Sequence, residues 1–329
     1  MRYNNYVLLL VLLCVPLQDL LFAQVKYENQ VQESVPRYIR FEVENDMLIP
    51  RDKTDRYFSS GTRLEYSMLQ TPYSNRNLQK IFLKLKDAEL YMGLLVMANM
   101  YTPSDLSDKP AAGDRPYAGW LCAGMKGISN SFVQATRFST EYTLGVIGPA
   151  SLQGTFQKEF HKIVGRPEPK GWNNQIPNDI ALNLSFVGEK RIVRPSENVD
   201  LLGVMELNVG TVTNYMGFGG MLRVGWFDDY FKNIFQVDGV NKWQIFAFAR
   251  PLVRIVADNS LLQGGIFTFR ESPYRIPKDD LNRYFMETEF GYGLSYHKFN
   301  FTYSQFVRTA EFKGAKNMLW GKMSFVCSF

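Results

Sequence analysis

Two histidines occur among the 329 residues. His297 lies in a tight turn, Tyr296-His297-Lys298, and reads as a solvated turn residue. His161 lies in a long stretch after Gly148-Pro149, where Phe156, Phe160, Ile163 and Val164 recur at helical spacing, an apolar face expected to pack the helix down. Gln157 precedes His161 by one helical turn, so the amide and the imidazole project together. An imidazole can take a proton near neutral pH, although a lone loop histidine can equally be structural. Asn45-Asp46 ends one alternating run, Arg56-Tyr57-Phe58-Ser59-Ser60-Gly61 begins the next, and Asp114-Arg115 opens a later one. Taken singly, Asn-Asp reads as an Asx-type turn and Asp-Arg as a rim ion pair of small worth. Chemistry requires a fold that brings carboxylate, hydroxyl, amide and imidazole to one place.

The elements that could do so are strands. From Arg37 onward, apolar and polar residues alternate. Ile39, Phe41 and Val43 oppose Arg40, Glu42 and Glu44; Tyr284, Met286, Phe290, Tyr292, Leu294 and Tyr296 oppose Glu287, Glu289 and Ser295. Such a period of two means half-buried strands. Twelve are expected, near 37–44, 57–70, 86–101, 115–128, 132–147, 179–190, 199–212, 217–227, 243–256, 283–296, 298–309 and 318–329, with no internal repeat and no second domain.

Composition narrows the class. The chain is 46% hydrophobic and 15% aromatic, which suits a folded sheet rather than disorder. Mean hydropathy is negative, which excludes a bundle of membrane helices. A net charge of +5 is no nucleic-acid signature. The apolar run Val7 to Leu17 followed by Leu21-Phe22-Ala23 reads as a secretory signal peptide over 1–23, leaving a periplasmic extension at 24–36 and a barrel over 37–329. Cys122 and Cys327 then remain, too few and too far apart for a disulfide framework or a Cys/His metal site.

Periodicity does not say whether the apolar face meets a core or lipid. A soluble sandwich buries its aromatics, whereas a membrane barrel turns them outward and fills its lumen with charges of both signs. Export, Tyr and Trp flanking the aliphatic faces, and a final alternating strand ending on Phe329 favour the barrel. That terminal aromatic resembles the signal read by the barrel assembly machinery of bacterial outer membranes. The reading is therefore all-β: a transmembrane antiparallel barrel of about twelve strands with a short helical segment in a long extracellular loop. With both termini periplasmic, 45–56, 102–114, 148–178, 213–216, 257–282 and 310–317 connect on the outer side, and the candidate residues share one end.

At these residues the chain resembles the outer-membrane lipid A 3′-O-deacylase family. The matching strings are Glu44-Asn45-Asp46, Tyr101-Thr102-Pro103, Gly113 to Trp120, and Leu144 to Pro149, followed by Gln157, His161 and Gly171-Trp172. They run in order from about residue 37 to the C-terminus. The resemblance implies calcium-dependent hydrolysis of the 3′-linked acyloxyacyl ester of lipid A, within lipopolysaccharide, at the outer leaflet. His161 would activate water; Asn45 and Asp46 would hold or support calcium; Ser59 and Gln157 match a hydroxyl and an amide of the family site. Oxygen ligands suit a hard cation that polarises a carbonyl. Pro167 stands where the family has an acidic residue, so Glu168, displaced by one, becomes the further metal-ligand candidate. Lys109 is the only basic residue in a loop where the family places a basic pair, with Asp105 and Asp108 nearby; Lys109 and Arg115 are the expected contacts to the anionic lipid. Alternatives are a calcium-dependent outer-membrane phospholipase, which needs a serine–histidine pair, and a catalytically inactive barrel of the same family.

Overall fold

Alternation along each strand puts charge on one face and apolar side chains on the other, and the chain satisfies both by closing its sheet into a ring. The computed structural model describes residues 35–49, 56–71, 74–108, 113–232, 243–268 and 274–329. Twelve antiparallel strands pair in sequence order: β1 (Arg37–Asn45), β2 (Tyr57–Leu69), β3 (Glu89–Thr102), β4 (Ala118–Ser131), β5 (Thr136–Ile147), β6 (Asp179–Ser196), β7 (Val199–Gly210), β8 (Thr213–Trp226), β9 (Trp243–Asn259), β10 (Tyr284–Tyr296), β11 (Phe299–Arg308) and β12 (Met318–Ser328). β12 returns to β1, with Phe41 opposite Phe325, and backbone hydrogen bonds between Arg37 and Phe329 finish the seam. No strand edge is left open, the condition a sheet must meet in lipid. Among the described residues, three short helices, α1 (Arg76–Gln79), α2 (Gln153–Val164) and α3 (Ser260–Gln263), lie in connections. No helix among the described residues is long and apolar enough to cross a membrane.

The expected strands are all present. β3 and β4 begin about three residues later than periodicity suggests, and β6 continues to Ser196 through irregular register at Arg191 and Val193. The proposed leader at 1–23 and nearly all of the 24–36 extension lie outside the described residues. Cys122 and Cys327 are both free.

Which face is wet follows from the charges. Glu65 accepts from Arg63 and Lys126, each at 3.1 Å, and Glu141 binds Arg63 at 2.6 Å. Glu287 pairs with Arg254 and Arg308, Glu206 with Arg250 and Arg254, and Lys322 with Glu289. Except for Arg63 and Glu65, both on β2, these partners join different strands within the lumen, and they leave a cavity of 380 Å³. At the end bearing the termini, the turn after β8 folds inward. Phe231 is fully buried and its carbonyl accepts from Asn130; Tyr230 donates to Glu189, and Asp229 accepts from Arg191 and Arg194. A crowded interior of this kind is a packed polar core rather than an open pore. The outer wall is apolar and exposed: Ile39, Phe41, Leu144, Val209, Ile245, Tyr292 and Phe325 all point outward.

Removing one partner of a buried ion network leaves the others uncompensated. Glu65→Ala is expected to cost about 3 kcal/mol, because it leaves the buried cations Arg63 and Lys126 to share the single carboxylate of Glu141. Lys313→Ala, which removes only an exposed contact to Asp280, should cost under about 1 kcal/mol. The temperature at which the compact electrophoretic form is lost on heating checks both.

Candidate functional site

Strand parity places the site on the outer wall of the barrel rather than in its lumen. Glu44, Tyr101 and Trp120 point inward with the charged network: Glu44 accepts from Trp320, and Tyr101 lies under the Arg115 guanidinium. Their chain neighbours Asn45, Met100, Thr102 and Gly119 therefore point outward. In β2 the register slips between Phe58 and Ser60, leaving Ser59 as an extra residue. Such a bulge re-aims a side chain. Here Phe58 stays inside against Trp320, and Ser59 turns out to pair its Oγ with Thr102 Oγ1 at 2.5 Å.

Asn45 ties the first hairpin together. Its Nδ2 donates to the Ser59 carbonyl at 2.7 Å, and its Oδ1 accepts from Met47 N–H at 2.7 Å, capping a 3₁₀ turn over Asp46–Leu48. The Asx-type reading of Asn45 is thus correct as local structure. The turn folds over β12, with Leu48 against Gly321 and its carbonyl accepting from Tyr303. Asp46 is buried there.

The second half of the site is α2. It starts after Gly148, whose φ of 84° and close approach to Pro177 exclude a side chain, and it ends at Gly165 with φ 72°. Its N-terminal end presses on Gly119, where a methyl group would overlap Ser151 and Gln153. The buried residues of the helix are Gln153, Gly154, Gln157 and His161. The expected packing face is instead outside: Phe156, Phe160, Ile163 and Val164 are all exposed. This inverts the sequence expectation, and the environment explains it. The helix lies against a wall that carries polar groups at this height, while its free side meets the apolar surroundings of the barrel.

His161 is 4% exposed, and its Nδ1 lies 2.7 Å from the Pro167 carbonyl oxygen. A carbonyl can only accept, so Nδ1 carries the proton and Nε2 keeps the lone pair in the neutral ring. Gln157 Oε1 accepts from Trp172 Nε1 at 2.7 Å. Trp172 packs with Tyr117 and Met100, and Gly154 and Gly171 leave room for the two rings. One run of contacts therefore joins the hairpin of Asn45 and Ser59, through β3, to the helix of Gln157 and His161.

Other candidates do not join this group. Glu168 has a side chain 62% exposed and pairs with Lys158 at 3.6 Å on the open side of α2. Arg115, expected to meet the lipid, is buried instead over the lumen, bound to Glu311 at 2.5 Å and stacked 4.3 Å from the Tyr101 ring centroid. Glu311, a buried carboxylate, draws the guanidinium inward. Lys109 lies outside the described residues. His297, with φ 49°, is exposed in its turn as expected. Thr102, Trp172 and the Pro167 carbonyl carry contacts that residue types alone did not assign; the first two stood in quoted motif strings without a role.

Calcium would have to be held by Asp46, Asn45 and the Ser59 and Thr102 hydroxyls. This set is all oxygen and includes a buried carboxylate, which fits a hard cation in kind. It holds fewer protein oxygens than the six to eight such an ion takes, so the remainder would come from water or substrate. No cluster of three or more His, Cys, Asp or Glu suited to a metal occurs among the described residues.

The family model described as "Outer membrane protein LpxR" matches residues 7–329. This chain belongs to the LpxR family. Its place is accordingly the outer membrane, as the closed apolar-walled barrel requires. Among solved structures, LpxR from Salmonella typhimurium superposes with a TM-score of 0.69 at 20% identity, covering 88% of this chain and 99% of that one, and shares its fold. The β domain of the Bordetella autotransporter BrkA (TM-score 0.42, 11% identity, 90% and 99% covered) and the NalP translocator domain from Neisseria meningitidis (0.40, 7%, 91% and 90%) overlap less well. A search of curated proteins finds no match.

Glu311 offers a pH test of its ion pair with Arg115 over the lumen. Burial opposes its ionisation, but Arg115 and Arg308 outweigh burial and hold its carboxyl below the ordinary 4.5. A depressed folded value stabilises the protein above the unfolded value and loses that contribution as pH falls through the folded one. Glu311→Gln is expected to lower the unfolding temperature at neutral pH, with the gap from wild type shrinking below about pH 4.5. Thermal melts across pH check this.

Proposed function

We propose that this chain hydrolyses the 3′-linked acyloxyacyl ester of lipid A from the outer leaflet, with His161 as general base for water. The observation that carries this reading is a buried imidazole, locked through Nδ1 by the Pro167 carbonyl, on the lipid-facing wall of an outer-membrane barrel. A lipid substrate reaches such a wall by lateral movement and need not enter a pore. Membership of the LpxR family supports lipid A as the substrate class.

The roles follow from what each group has free. His161 Nε2 takes the proton as water attacks the ester carbonyl and returns it to the sugar 3′ oxygen as the acyl C–O bond breaks, a contribution of about 10² to 10⁴ in rate. The carbonyl end of Gln157 is held by Trp172, so its NH₂ is the end that donates to the ester oxygen as charge builds there. Asn45 and Asp46, with the hydroxyls of Ser59 and Thr102 beside them, would hold calcium, which when bound would polarise the ester carbonyl. Ser59, whose Oγ pairs with Thr102 Oγ1, is a supporting hydroxyl in this reading, because water is the nucleophile. The apolar outer face of α2 beside the buried polar row suits an acyl chain. Lys109 is assigned to a lipid phosphate.

The test is expression in a host of defined lipid A, with the lipid mass read with calcium, with a chelator, and for His161→Ala. Loss of the 3′ acyloxyacyl mass in the first case only is expected; an unchanged mass in all three, with the barrel assembled, would sink the reading. Ser59→Ala is expected to slow turnover about tenfold or more, consistent with loss of one positioned group, and without a trapped acyl-enzyme. A covalent acyl adduct on Ser59 in the wild type would instead establish the serine route of a phospholipase.

A further inference from the structure

A second feature of the outer wall lies at the opposite end of the barrel, far from the chemistry. The connection between β2 and β3 does not hang free beneath the barrel but lies against its outside. Lys126 and Glu141 face the lumen, so their neighbours Gly127 and Tyr142 face outward. Phe82 is buried on that outward surface, directly over Gly127, where any side chain would overlap its ring, and it meets Tyr142 edge-on at 5.7 Å. Four hydrogen bonds hold its neighbours on either side down: Tyr142 Oη to the Ile81 carbonyl at 2.6 Å, Leu85 N–H to Ser129 Oγ at 2.9 Å, Gln134 Nε2 to the Lys86 carbonyl at 2.9 Å, and Ser131 Oγ to the Asp87 carbonyl at 3.4 Å. A seated strap thus occupies a stretch of wall that lipid would otherwise cover.

The strap presents two kinds of side chain outward. Leu78, Ile81 and Leu83 are exposed and apolar, beside Phe132 and Val133 of the adjoining β4–β5 turn. Interleaved with them, Arg76, Lys80, Lys84 and Lys86 are exposed; the nearby carboxylates are Asp87 and Glu89. Apolar side chains alternating with cations at a membrane boundary describe an interfacial segment, which buries its apolar residues at the acyl edge and gives its cations to anionic headgroups. The strap is continuous with the lipid-facing belt, since Tyr142 and Gly127 belong to both, so its apolar residues stand at the bilayer edge. We propose that residues 76–86 form a binding site for anionic phospholipid headgroups of the periplasmic leaflet, seated on the barrel by Phe82. It would fix the depth and tilt of the barrel from the leaflet opposite the site.

Purified full-length protein, loaded with equal amounts of phosphatidylglycerol and phosphatidylethanolamine and released for native mass spectrometry, tests this. Wild type is expected to retain phosphatidylglycerol preferentially. Lys84→Gln should lower that preference about fivefold, the equivalent of about 1 kcal/mol per cation near an anionic surface. Lys80→Gln/Lys84→Gln/Lys86→Gln should abolish it, and Lys84→Arg should keep it. Gly127→Val, which unseats Phe82 while leaving every cation in place, should also lose it. Equal retention of both lipids by wild type, or a preference that survives the triple substitution in a folded barrel, would overturn the proposal. The former outcome would leave the basic segment to a periplasmic polyanion.

Discussion

Backbone N–H and C=O groups cannot be left unpaired in hydrocarbon, and the rest of this structure follows from that constraint. A sheet meets it only by closing, so β12 must return to β1, and the chain ends on the strand that does so. Closure then divides every strand into an inner and an outer face. The inner face is cut off from bulk water and carries Arg63, Glu65, Lys126, Glu141, Arg254, Glu287 and Arg308, each offset by an opposite charge on another strand. With the lumen filled in this way, and plugged by Phe231 at the end bearing the termini, function belongs on the outside.

The two halves of the site are held on that outside by steric means. The bulge at Ser59 turns one hydroxyl outward to meet Thr102, Asn45 clamps the hairpin above it, and Gly119 lets α2 approach the wall closely. Trp172 is the link between halves, donating to Gln157 while packing on Met100 and Tyr117. A carbonyl at Pro167 holds the imidazole, at the position where the sequence resemblance implies an acidic residue. A backbone acceptor orients His161 without adding charge and leaves the lone pair on Nε2.

A helix with its polar row buried and its apolar row exposed would be misfolded in water. Around α2 it is consistent, because the surroundings are inverted: the protein wall is polar at that height and the exterior is lipid. The strap of Phe82 at the other rim obeys the same rule on a smaller scale. Both are outer-wall elements that leave Phe156, Ile163, Ile81 and Leu83 exposed on the side away from the barrel.

Local periodicity in the sequence determined that there are twelve strands, which residues share a face, and that Asn45, Ser59, Gln157 and His161 fall at one end of one barrel, since alternation and turn chemistry act over a few residues. The same short range explains the expectations that did not hold. A helical apolar stripe says that one face differs from the other, not which of them meets protein, so α2 was inverted. An Arg or Glu near a rim carries the same letters whether it points to lipid or across the lumen. Only the closed ring set Arg115 on Glu311 and left Glu168 on the exposed side of α2. Ser59 illustrates the limit: its hydroxyl was legible as a candidate, but its direction depends on one extra residue in β2 relative to β3, a property of the pairing between strands that neither strand carries alone.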